Sequence, residues 1–204
     1  MARIKRLFVG GSGGNAQLTG VVAEVLLLLL AVEGATLLNL RSFLTVHAFV
    51  GMLLIPVVGL KLASTGWRMA RYYLRGEEYV RAGPPHLMMR ALVAPVLLLS
   101  TLVLFATGVA LLVLGQTEGT VVGLHKASFV VWLAVTGVHV LAHLRRLPVL
   151  AFASGRGARR RLAVVTATVL AGGALAVSTL SLVTPWTHWV DRDDAAAAYL
   201  NVLM

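Results

Sequence analysis

Residues 17–38 read QLTGVVAEVLLLLLAVEGATLL, and this apolar stretch is the first of several that decide the fold. At a rise of about 1.5 Å per residue, a helix of this length crosses the roughly 30 Å hydrocarbon core of a bilayer. Of the chain's 204 residues, 58% are hydrophobic and only 13% are charged, and the mean hydropathy is +0.86. A soluble domain of this size would have too few polar groups to cover its surface. The composition therefore predicts an integral membrane protein.

Five apolar runs of membrane-crossing length follow one another along the chain, and the charged residues cluster mainly between them. We predict an all-α, polytopic transmembrane helical bundle at residues 17–184, with an N-terminal arm at 1–16 and a C-terminal tail at 185–204. Pro56 and Pro95 lie inside the second and third runs and predict local kinks. The predicted spans are residues 17–38, 43–64, 87–114, 121–144 and 162–183.

The basic residues predict the orientation of these spans. Fifteen of the 18 Lys and Arg residues lie in the N-terminal arm and in the loops after the second and fourth spans. Basic loops remain in the cytoplasm, so we expect a cytoplasmic N-terminus and an extracytoplasmic C-terminus in a bacterial inner membrane. This topology also explains the net charge of +10 without nucleic acid as a partner. Trp186 and Trp189 are expected to anchor the tail at the headgroup level.

The chain contains no cysteine, which limits the cofactors that it can hold. Iron–sulfur ligation, disulfides and covalent c-type haem attachment are excluded. The sequence also lacks a Gly-rich nucleotide loop after a strand, a Ser–His–Asp arrangement and an HExxH motif. No soluble segment is large enough to bind a flavin or NAD. A subunit of a larger enzyme is therefore a better prediction than a complete reductase.

Four or five of the six histidines lie in or beside predicted spans, where ionisable side chains usually face a functional site or the bundle interior. His47 and His125 are predicted at similar depth near the outer surface, and His139 and His143 near the cytoplasmic end. His125 and His139 are 14 positions apart, so they project from nearly one helix face about 21 Å apart. One helix can thereby present ligands at two depths, as two stacked bis-histidine haems require. His188 is predicted to be interfacial.

Residues 124–144, LHKASFVVWLAVTGVHVLAHL, resemble the last core helix of the di-haem membrane cytochromes b. These are the gamma subunits of formate dehydrogenase and nickel–iron hydrogenase and the wider cytochrome b561-like group. Residues 44–73, LTVHAFVGMLLIPVVGLKLASTGWRMARYY, resemble another helix of that group, and the resemblance covers roughly residues 20–148. It implies a four-helix cytochrome-b-like core plus one extra helix. It also implies that His47 and His125 ligate an outer haem b and that His139 ligates an inner one.

The inner haem lacks one ligand of the family pattern. In the gamma subunits that ligand comes from the cytoplasmic end of the first core helix, where this chain reads GGNAQLTG without a histidine. His139 would then need a partner among His86, His143, Met88 and Met89, or the inner haem is absent. The resemblance further implies one or two non-covalent haem b groups, electron transport in a respiratory chain, a partner oxidoreductase subunit and a candidate role for quinone.

Two other functions remain open from the sequence alone. The same histidines could serve a small transporter or divalent-metal carrier, with His86, His139 and His143 at one depth. The chain could also be a structural anchor for a partner protein, without any cofactor. The haem hypothesis requires His47 and His125 to face one another across two helices, and the anchor hypothesis does not.

Two carboxylates, Glu24 and Glu33, lie within the first predicted span. They are nine positions apart and face nearly opposite sides of a helix, so they cannot form one acid pair. Proton uptake or quinone binding is one interpretation. Salt bridges that fix the span to the bundle are the favoured one, since a buried charge is costly without a partner. The candidates are Arg41 or Lys126 for Glu33, and Lys61 for Glu24.

Overall fold

The computed structural model describes residues 11–81, 87–115, 117–143 and 157–188, and every regular element within them is helical. Shorter helical turns lie at Leu37–Asn39, Met89–Val93 and Leu180–Val183. The helices are α1 (Gly11–Thr36), α2 (Leu40–Tyr73), α3 (Glu77–Arg81), α4 (Ala94–Leu114), α5 (Thr120–His143) and α6 (Ala158–Ser178).

Four helical stretches in the described part of the chain are long and apolar enough to cross a membrane. The first of them contains both α1 and α2. This arrangement confirms the predicted all-α fold with several membrane-length helices. The stretches are Ser12–Tyr73, Ala91–Leu114, Thr120–His143 and Ala158–Ser178.

The chain reverses direction between α1 and α2. Asn39 caps the start of α2, because its side-chain oxygen accepts a hydrogen bond from the Ser42 backbone N–H at 3.3 Å. The two helices then pack antiparallel. Asn15 contacts Ser64 at one end of the pair, and the side chain of Glu33 contacts that of His47 at the other. Residues near both ends of α1 are thereby placed against both ends of α2.

The helix α2 lies at the centre of the described bundle. Its buried residues Val50, Leu54 and Val57 pack against α1 and against Val165 of α6. A second apolar cluster joins Met52 of α2 to α4 and α6. The helix α5 packs along α4 instead, where the indole N–H of Trp132 donates to the Thr101 hydroxyl at 3.1 Å. The bundle is thus a group of three helices, α1, α2 and α6, joined to a pair, α4 and α5.

The helix boundaries differ from the predicted spans at three places. Helix α1 begins at Gly11, inside the predicted arm, because its first turns pack against α2 through Asn15. Helix α2 continues past residue 64 to Tyr73. Within α2 only Phe43 has non-helical backbone angles, so the backbone keeps helical angles at Pro56, where a kink is predicted. Pro95 lies in the first turn of α4, directly after a turn of π-helix. A proline supplies no N–H to the preceding turn, which accounts for the irregular helix there.

The polar contact between α1 and α2 gives a first testable prediction. The buried Asn15 side chain donates to the Ser64 carbonyl at 3.0 Å, and the Thr19 hydroxyl donates to the Ser64 hydroxyl at 3.1 Å. We expect Asn15→Leu to lower the stability in detergent by about 0.6–1.7 kcal/mol, the range for hydrogen bonds between membrane helices. Unfolding titrations would measure this. Thr168→Val is the control, because that exposed hydroxyl bonds only within its own helix. Equal stability of both variants would contradict the prediction.

Candidate cofactor site

His47 lies near the start of α2 and is held by α1. Its Nδ1 lies 2.9 Å from Glu33 Oε1 and 3.0 Å from the Thr36 hydroxyl oxygen. The Thr36 hydroxyl donates its own hydrogen to the Glu33 carbonyl at 2.6 Å, so its oxygen accepts from His47. Both partners of Nδ1 are acceptors, which places the ring hydrogen on Nδ1. In the neutral ring the lone pair is then on Nε2, which is the atom that could bind a metal.

His125 lies near the start of α5 and is held in the same way by α4. Its Nδ1 lies 3.0 Å from the Thr107 hydroxyl and 3.2 Å from the Leu104 carbonyl. A carbonyl can only accept, and the Thr107 hydroxyl donates to the Val103 carbonyl at 2.7 Å. The hydrogen of this ring is therefore also on Nδ1. A Cβ on Gly108 would lie 3.2 Å from the His125 ring, so the glycine makes room for it.

The structure brings His47 and His125 into one layer, although their helices belong to different parts of the bundle. The two rings are close enough for a charge on one to act on the other. Helix α5 packs on α4 and not closely on α2, so the two histidines belong to helices that do not pack closely on each other. Two imidazoles whose Nδ1 atoms are hydrogen-bonded are suitable metal ligands, because each ring could bind iron through Nε2.

The inner histidines are arranged differently. The His139 and His143 rings stack with their centroids 4.7 Å apart and their planes at 28°. His143 Nδ1–H donates to the His139 carbonyl at 2.9 Å. Two stacked rings from successive turns of one helix turn their faces to each other, which leaves no space for an iron between them. If His139 binds a haem iron, the second protein ligand of that iron must come from another helix.

The other predicted ligands are only partly within the described residues. His86 lies outside them, so its candidate role stays a prediction. Met88 is exposed, and Met89 begins a π-helical turn that contacts α5. His188 is also exposed.

The two span-one carboxylates have different surroundings from those predicted. Glu33 contacts His47, and its second carboxylate oxygen, Oε2, is buried without a hydrogen-bond partner. Lys61 does not pair with Glu24 in the structure. Its ammonium nitrogen donates to the Thr19 carbonyl at 2.8 Å, and it is close enough to His139 to interact electrostatically. The side chain of Lys61 therefore points into the bundle.

Sequence reasoning missed the threonines of the site. Thr36 and Thr107 hold the two histidines, and each is distant from its histidine in sequence, so no local motif marks them. Thr136 lies between His125 and His139 on α5, and its hydroxyl is buried without a hydrogen-bond partner. Other threonines of the bundle, such as Thr107 and Thr168, bond to their own helix. The Thr136 hydroxyl is thus available to a group that lies between the helices.

The donor set fits a haem better than a single metal ion. In the described ranges no three His, Cys, Asp or Glu side chains converge on one point, whereas a protein zinc site usually has three or four ligands. Two opposed imidazoles are what a haem iron needs, because the porphyrin supplies the other four ligands. The unpartnered polar atoms of Glu33 and Thr136 are further places at which a bound group could be contacted.

Comparison with known proteins adds no assignment. No protein-family model, curated protein or solved structure matches the chain. The likeness to di-haem cytochromes b therefore stays a prediction from the motifs quoted above. Function is inferred from the residues and their geometry.

Proposed function

We propose that this protein is a b-type cytochrome of the cell membrane, with a haem b held between His47 and His125. One observation carries the proposal. Two imidazoles from separate helices lie close enough to interact, and each has its Nδ1 hydrogen-bonded to a neighbouring helix. Such outer hydrogen bonds are the usual means of orienting a histidine ligand.

In this proposal α1 and α2 count as separate spans, which gives five, as predicted from the sequence. The distribution of basic residues then places the N-terminus in the cytoplasm and the C-terminus outside. His47 and His125 lie in the outer half of the membrane. The antiparallel packing of α1 against α2 supports this topology, because each of the two helices has membrane-crossing length.

A bound haem would supply one-electron chemistry, and the protein would determine the position of the haem and how readily it gains or loses an electron. His47 and His125 would hold both axial positions, which leaves no open position for a small molecule at the iron and favours electron transfer. Glu33 and the Leu104 carbonyl fix the direction of the two rings. The apolar cores around α2 exclude water from the space beside them.

We further propose that the chain is the membrane subunit of a larger oxidoreductase and exchanges electrons with a quinone or a partner subunit. Support comes from the absence of a nucleotide- or flavin-binding motif in the sequence. Helices α4 and α5 also leave large apolar side chains exposed, among them Leu99, Leu133 and Leu141. In a membrane, such faces are covered by lipid or by a neighbouring subunit.

The test is a reduced-minus-oxidised absorption spectrum of the protein purified in detergent after expression with ample haem. A pyridine haemochrome assay on the same sample gives the number of haems per chain. We expect a b-type alpha band and at least one haem. A featureless spectrum would overturn the proposal and favour a transporter or a structural anchor.

Glu33 is expected to tune the reduction potential of this haem. A carboxylate on Nδ1 makes a histidine a stronger electron donor and favours the oxidised iron. Glu33→Gln keeps an accepting oxygen and removes the charge, so we expect haem retention and a higher midpoint potential. A tenfold change between the two oxidation states corresponds to about 59 mV for one electron. Redox titration measures the shift. Glu24→Gln on the same helix is the control, and equal potentials in the two variants would contradict the prediction.

A further inference from the structure

Three helices carry polar residues at the same two levels of the bundle. The outer level holds Glu33 of α1, His47 of α2 and His125 of α5. Fourteen positions away on each helix lie Thr19, Lys61 and His139, which form an inner level. Fourteen residues of helix correspond to about 21 Å. The matched spacing means that α2 and α5 present one residue each at both levels.

The contacts at the inner level repeat those at the outer level. At the outer level α1 accepts a hydrogen bond from the α2 residue, through Glu33 and Thr36 on His47. At the inner level α1 again accepts from the α2 residue, through the Thr19 carbonyl on Lys61 at 2.8 Å. In both cases the α5 histidine is close enough to the α2 residue for a charge on one to act on the other. Lys61 therefore occupies the inner position that corresponds to that of His47.

Lys61 is an unusual residue for this position unless it binds something. Its side chain is half-buried and directed at α1, and the described residues place no carboxylate in an ion pair with it. A charged amine inside a membrane bundle is costly without such a partner. A neutral amine has a lone pair, which is a good ligand for iron, while one of its N–H groups can still donate to Thr19.

We propose that Lys61 and His139 are the axial ligands of a second haem b, at the inner level of the bundle. This inference rests on the proposed function, because it assumes that the chain binds haem at the outer level. Lys61 supplies the ligand that the inner level lacks. His143 stacks on His139 from the same helix and cannot lie on the opposite side of one iron. The buried, unpartnered Thr136 hydroxyl lies one turn from His139 on the same helix.

The test begins with the pyridine haemochrome stoichiometry of the intact protein and of Lys61→Arg. Arginine keeps a long side chain with N–H donors, but it stays protonated and does not ligate iron. We expect two haems per chain in the wild type and one in Lys61→Arg. Lys126→Arg, an exposed position on α5, is the matched control and should keep two. Two haems in Lys61→Arg would overturn the assignment of Lys61. Loss of the second haem in His86→Ala, together with its retention in Lys61→Arg, would also overturn this assignment and would favour His86 as the ligand.

A second measurement does not depend on a variant. Protein labelled with ¹⁵N in the lysine side chains should show a hyperfine coupling between a lysine nitrogen and the oxidised haem iron in electron–nuclear double resonance. No coupling would overturn the proposal.

Failure of the two proposals is also distinguishable by stoichiometry. One haem in the wild type would reject the inner site and keep the outer one, whereas no haem would reject the proposed function itself.

Discussion

Replacing His125 by alanine is expected to remove the outer haem from the purified protein. The proposed haem b would not be covalently attached, so its retention would depend on the bonds from the two histidines and on the fit of its pocket. Removing an outer hydrogen-bond partner of a metal ligand typically costs about 10–100-fold in affinity, and removing the ligand itself should cost more. The alpha band of the outer haem should be lost in His125→Ala. His47→Ala should have the same effect, because both histidines are needed for six-coordinate iron.

Three further measurements make this prediction specific. Imidazole added during growth or purification should restore part of the outer haem in His125→Gly, since the free ligand can occupy the space of the deleted ring. His188→Ala should retain full haem content, because His188 is exposed near the end of the described residues. Size-exclusion chromatography would show whether each variant is folded. Normal haem content in a folded His125→Ala protein would contradict the assignment of this ligand.

The second large effect is expected at Gly172, where α6 crosses α2. A Cβ at this position would lie 2.5 Å from the Leu53 carbonyl oxygen and 3.3 Å from its Cα. These atoms belong to the backbone and cannot rotate away, so Gly172→Ala must push the two helices apart. Overpacking of this kind costs about 1–3 kcal/mol. We expect a clear loss of thermal stability in detergent. Scanning fluorimetry would measure the unfolding temperature.

The neighbouring glycine provides the control for this substitution. Gly173 has nothing within 4 Å of its potential Cβ, and it lies on the same helix at nearly the same depth. Gly173→Ala should leave the stability unchanged or raise it slightly, because alanine favours the helix over glycine. A similar loss in both variants would show that the effect arises from glycine in α6 in general and not from the α2 contact.

Much of the fold was readable from the sequence because a bilayer imposes simple constraints. A span needs enough apolar residues to cross the hydrocarbon and must satisfy its backbone polar groups internally, so hydropathy alone predicts helices. The expected span at 121–144 corresponds closely to α5, at Thr120–His143. The boundaries of α1 and α2 were less accurate. Side-chain contacts such as that of Asn15 with Ser64 extend helices beyond the apolar runs, and hydropathy does not register them.

The candidate site was only partly predictable. His47 and His125 were selected from their depth, and the His125–His139 spacing from the helical period, because both depend on position along single helices. Their hydrogen-bond partners depend on how helices pack. The pairing of Glu33 with His47 and of Lys61 with the Thr19 carbonyl differs from the partners expected for these charges. In each case charge and depth predict the partner, but they do not specify which helix faces meet.

The sequence by itself determined that this is a helical membrane protein without cysteine chemistry, and it determined where the histidines lie along the helices. These properties follow from composition and from the fixed rise of a helix. Only the tertiary structure decided which residues share a level across helices. Interhelical contacts depend on the rotation and crossing of each helix, which many distant residues set together. That is why Thr36, Thr107 and Lys61 emerge as parts of the site only when α1, α2, α4 and α5 are seen packed.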